Sequence, residues 1–109
     1  MKIALNCTFG GYALAPAVFE HLEIRDEHSG YLYPEMLGLS NEVTELEMRS
    51  NPRVIAAIEA VGPEKAHRYH GDGDRIRVVE VPDDAVTLYM TEYDGREGVT
   101  WSMAEVHHA

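Results

Sequence analysis

Apolar and polar positions change period twice along this chain. Residues 2–7 read as a strand, with Ile3 and Leu5 on one face. Gly10-Gly11 interrupts that run. Pro16 then stands where a first helical turn tolerates proline, and Val18, Phe19 and Leu22 share one face, which predicts a short helix over 17–22. From 43 to 48, Val43, Glu45 and Glu47 alternate with Thr44, Leu46 and Met48, the pattern of a short strand. The clearest helix follows. Asn51 is a good cap, Pro52 a favoured first residue, and Val54, Ile55, Ile58 and Val61 form a core-facing stripe. Gly62 and Pro63 stop it, and a second short turn runs over 64–69 before a loop at 71–74. The period then returns to two. Strands are predicted over 76–81, 86–93 and 98–103, with a turn at Pro82-Asp83-Asp84 and a hairpin signal at Asp94-Gly95.

Residues 23–44 fit neither period. They mix charges with Ser29-Gly30, Pro34, Gly38 and Ser40-Asn41, yet carry Tyr31, Leu32, Tyr33, Met36, Leu37 and Leu39. That composition describes a long packed loop, and long loops in small domains often bind something or cover an edge. The predicted fold is α+β in a single domain spanning 1–109. Its sheet is mostly antiparallel, of about 4–5 strands, with two or three short helices packed on one face. An exposed hairpin edge and an apolar loop make a homodimer or higher homo-oligomer the expected assembly.

Composition narrows the partners. The chain has 19 acidic against 9 basic residues and a formal net charge of −10. General nucleic-acid binding needs many phosphate-neutralising cations, so no direct nucleic-acid contact is expected. The charge is uneven, however. Arg49, Arg53, Lys65, Arg68, Arg75 and Arg77 fall in one window that holds only Glu59, Glu64, Asp72 and Asp74. A lone cysteine, Cys7, excludes an internal disulfide and fits a reducing cytosol. No apolar run reaches the roughly 20 residues of a membrane span, and the first residues lack a signal-peptide pattern, so a cytoplasmic protein with no membrane partner is expected.

Four stretches carry a resemblance: Asn6-Cys7-Thr8-Phe9-Gly10-Gly11-Tyr12, Arg49-Ser50-Asn51-Pro52, the run from Arg77 to Asp84 (Arg-Val-Val-Glu-Val-Pro-Asp-Asp), and Glu92-Tyr93-Asp94-Gly95. In these the chain resembles a group of small phage and prophage proteins that open with a Cys-x-Gly-Gly-Phe-like turn and carry an Arg-x-Asp-Pro helix start. Asn51 stands here in place of the acidic cap. The resemblance implies a phage or prophage origin and a site of action inside a bacterial host. By analogy with other phage proteins of this size, it suggests a counter to host immunity.

The candidate chemistry is that of binding. Glycines in the turn after the first strand let backbone N–H groups approach a ligand, although the Gly-Lys-Ser/Thr ending of a Walker loop is missing. Arg49 precedes a helix start, where a guanidinium and backbone donors together suit an anion. An internal ion pair with one of the many acids, for example in the Glu92-Tyr93-Asp94 turn, is the slightly favoured alternative for the same arginine. Cys7 lacks a hydrolase signature and reads as a small buried hydrophobe. His67 and His70 stand three apart, but nothing completes a zinc set, and Asp72-Gly73-Asp74 is too short for a calcium loop. The aromatics Tyr31, Tyr33, Tyr69, Tyr89, Tyr93 and Trp101 suit packing or base stacking. With no acid–base or nucleophile set, the chain is expected to be a binding protein, not an enzyme, with no cofactor and no metal. Its expected ligand is a small phosphate-bearing anion such as a nucleotide signal, held by Thr8, Gly10, Gly11, Tyr12, Arg49, Asn51, Tyr93 and Asp94. The alternative is an acidic, DNA-mimicking inhibitor that docks on a basic host protein.

Overall fold

Alternation at the start of the chain becomes strand β1 (Lys2–Asn6), which pairs antiparallel with β2 (Ile76–Glu80), Ala4 lying opposite Val78. A computed structural model describes residues 1–8, 10–69 and 75–104. The predicted 71–74 loop, His70 with Asp72 and Asp74, Phe9 and the last five residues lie outside that set. The two faces of the β1–β2 ribbon serve two cores. Ala4 and Ile76 face helices α1 (Pro16–Leu22) and α3 (Pro52–Val61), and pack with Val18, Phe19, Val54 and Ile58. Ile3, Leu5 and Val81 form a second cluster with Leu88, Met90 and Val99 of a hairpin. That hairpin is β3 (Thr87–Tyr93) and β4 (Arg96–Ser102), with Met90 opposite Val99. The result is three layers: a helix pair, a two-stranded ribbon and a hairpin.

The helix starts follow local chemistry. Asn51 Oδ1 accepts the Arg53 and Val54 N–H groups at 2.9 and 3.4 Å, capping α3 as its sequence predicts. Of the expected stripe, Val54, Ile55 and Ile58 are buried, while Val61 packs half-buried at the edge of the core. The long 23–44 segment holds one 3₁₀ turn, Pro34–Leu37, and Leu32, Met36 and Leu37 pack on the helical core.

Two expectations are corrected. Residues 43–48 are not a strand: Glu45–Arg49 form helix α2. Thr44 Oγ1 accepts the Glu47 N–H at 3.1 Å, so a Thr-x-x-Glu cap overrides the alternation. The four strands also do not make one sheet; they form two separate antiparallel pairs, β1–β2 and β3–β4.

The reason for the second correction lies at the open edge of β1. Cys7 N–H bonds Arg75 O, and Val81 N–H bonds Met1 O, so odd-numbered residues face β2. The C=O of Ala4 and the N–H of Asn6 therefore point the other way. They meet side chains, not another strand. Arg49 Nη1 donates to Ala4 O at 3.2 Å, and Glu97 Oε1 accepts the Asn6 N–H at 2.6 Å. An ion pair thus closes the edge where a third strand would have paired. Asp94 and Gly95 both have positive φ (53° and 88°), as a tight two-residue hairpin turn requires. A side chain on Gly95 would also strike the Gly10 backbone. Among the described residues, no helix is long and apolar enough to cross a membrane.

Candidate functional site

Arg49 is the centre of the site's electrostatics. It sits on the last turn of α2, and its side chain is 6% exposed. Nη1 and Nη2 donate to the two oxygens of Glu97, the second at 2.8 Å, and Nε donates to Glu45 Oε1 at 2.6 Å. The guanidinium carbon lies 3.6 Å from the centroid of the Tyr12 ring. Burial opposes the arginine's charge, but the hydrogen bond to Glu97 and the charges around it outweigh that, and its pKa is raised. Burial likewise drives the Tyr12 phenol well above its ordinary value, against the pull of the Arg49 charge.

The turn after β1 is fastened through its carbonyls. Asn6 Nδ2 donates to Thr8 O, Gly10 O and Gly95 O, at 3.0, 3.0 and 2.6 Å. These bonds bring the Tyr93-Asp94-Gly95 turn onto the glycine turn. His67 holds the next residue. Tyr69 N–H donates to His67 Nδ1 at 3.0 Å, so the neutral ring carries its proton on Nε2 and donates to Gly11 O at 3.0 Å. Burial lowers the His67 pKa and Arg75 adds to that, while the Gly11 bond works against it.

Of the predicted residues, Thr8 and Gly10 thus meet the turn that follows Tyr93 and Asp94, and Arg49 stacks on Tyr12. Asn51 is spent on capping α3. Arg49 has its charge matched by two carboxylates. Two more residues of the basic window are engaged within the chain: Arg68 pairs with Asp26 at 2.9 Å, and Arg53 donates to Leu22 O at 3.3 Å.

A cavity of about 380 Å³ opens beside Arg49. Tyr12, Tyr31, Leu32, Tyr33 and Pro34 line one part, and Asn41, Val43, Glu45, Met48 and Arg49 the other. Its volume is within the range of small-molecule sites. Gly11 permits the closure, because a Cβ there would lie 2.6 Å from the Tyr31 hydroxyl. The Tyr12 hydroxyl is buried and has no hydrogen-bond partner among the described residues. Buried polar atoms are rarely left so. Tyr31 and Tyr33 are half exposed, at 45% and 44%.

Sequence reading missed Tyr31, Tyr33, Asn41, Glu45 and Glu97 as parts of this neighbourhood. The packed aromatic loop was the available signal for the first two; nothing local identified Glu97 as the partner of Arg49. Among the described residues, no group of three metal-ligating side chains gathers. No protein-family model, curated protein or solved structure matches the chain.

Proposed function

We propose that the protein is a binding module that captures a small molecule in the tyrosine-lined cavity without converting it. The observation that carries this reading is the cavity itself: three tyrosines around a space of about 380 Å³. A flat ring fits such walls, and the Tyr31 hydroxyl, the Asn41 amide and Glu45 offer hydrogen bonds to its edge. A nucleotide enters this reading through its base. Its phosphate gains less than the sequence suggested, because Glu97 and Glu45 already hold Arg49. Sequestration of a signal by a phage or prophage protein is the biological setting that the sequence resemblance adds to the proposal.

A thermal-shift panel of nucleosides, nucleotides and small amines tests it. A ligand that binds only the native state raises the melting temperature by mass action. The reading expects at least one compound to do so for wild type, and expects Tyr31→Ala and Tyr33→Ala to abolish that shift. Both tyrosines are half exposed, so their removal should leave the fold intact. A panel with no hit, or a shift that both variants retain, overturns the reading.

A further inference from the structure

We propose that the ligand of the tyrosine cavity is an organic cation, of the alkylated ammonium type, and not an anion; this rests on the reading of the cavity as the binding site. Three observations point there together. The first is charge. Residues 27–48, which supply most of the cavity wall, contain Glu27, Glu35, Glu42, Glu45 and Glu47 and no lysine or arginine, and of these acids Glu45 lines the cavity. The one cation in the wall, Arg49, is buried and faces two carboxylates, so the local cluster of Glu45, Arg49 and Glu97 is net negative. Glu45 is the accessible member, with a side chain 67% exposed.

The second observation is the wall chemistry. Tyr12, Tyr31 and Tyr33 surround the space, and aromatic faces attract cations through their quadrupoles. One face of Tyr12 is already taken by the Arg49 guanidinium, 3.6 Å from its centroid, which leaves Tyr31 and Tyr33 as the rings for a ligand cation. The third is fit. Leu32, Pro34, Val43 and Met48 complete an apolar lining that suits methyl groups, and Glu45 is the acid in that lining. A phosphate placed there would meet a carboxylate and no unmatched cation.

Calorimetric titration with choline and with 3,3-dimethylbutan-1-ol separates charge from shape, because the two have the same outline and differ in charge. Choline is expected to bind at least about tenfold more tightly than the neutral alcohol, a gap a desolvated cation–aromatic contact supplies. Glu45→Gln, which keeps an acceptor for Arg49 Nε, should weaken choline several-fold and leave the alcohol unchanged. Tyr33→Phe should retain choline binding and Tyr33→Leu should lose it. Equal affinity for both compounds, or tight binding of adenosine monophosphate, overturns the cation assignment. In that case Tyr33→Leu still reports whether the cavity holds the ligand, so the broader reading is judged separately. Absence of choline binding also overturns the assignment, and the wider thermal-shift panel then decides the fate of the cavity.

Discussion

Removing Glu97 tests the junction of the fold most severely. The carboxylate accepts two donors of Arg49 and the N–H of Asn6 on the open edge of β1. Glu97→Ala strands a guanidinium that is 6% exposed, with only Glu45 left to match it, and leaves a strand N–H without its acceptor. Breaking a buried pair from one side costs about 3–5 kcal/mol, which is much of the stability of a small domain. Urea unfolding followed by circular dichroism should show the unfolding free energy falling by that amount, as a lower midpoint with an unchanged slope. Arg49→Met should be costly for the converse reason. The double variant Arg49→Met/Glu97→Met should cost clearly less than the two single changes added together, because no charge is then left buried alone. A loss below about 1 kcal/mol for Glu97→Ala would refute the claim that this pair closes the β1 edge. Arg49 would then be free to act on a ligand instead.

Three further outcomes follow from the geometry. Ile58 is fully buried between α3 and the ribbon, so Ile58→Ala should cost about 2–5 kcal/mol in the same unfolding assay. Gly95→Ala should cost more than about 1 kcal/mol, because φ is +88° and a Cβ would strike Gly10; thermal melts of the variant check this. His67 is held neutral, with a pKa below its ordinary 6.5, so the unfolded chain takes up a proton first as pH falls. Stability from this group is therefore present above pH 6.5 and is lost as pH drops through the lowered folded value. Melting temperatures measured from pH 7.5 downward should show that slope in wild type and a weaker one in His67→Gln.

The parts of the fold that sequence revealed are those specified locally. Asn51, Pro52 and Gly62 bound α3, and Asp94-Gly95 marks the hairpin, because caps and tight turns are set by neighbouring residues. The 43–48 segment shows two local signals in conflict. Its alternation suggested a strand, while Thr44 and Glu47 carried the cap of a helix, and burial of Met48 and Arg49 settled the contest. The division into two ribbons was not legible. It depends on Arg49 meeting Glu97, a contact 48 residues apart that no periodicity encodes. The same contact is an internal ion pair of the kind the sequence allowed for Arg49, with Glu97 as a partner that no local signal named. The cavity was half legible: the aromatic loop announced itself, but its closure over Tyr12 and α2 is a tertiary event.

The most direct test of the cavity is to map where a ligand lands. Amide chemical shifts of the labelled protein, recorded during a choline titration, report the site residue by residue. The account predicts changes concentrated at Tyr12, Tyr31 to Tyr33, Asn41, Val43 and the α2 residues Glu45, Met48 and Arg49, with the outer strand residues Thr100 and Ser102 unmoved. Saturating changes on the β3–β4 hairpin instead, or none anywhere at millimolar choline, would contradict it.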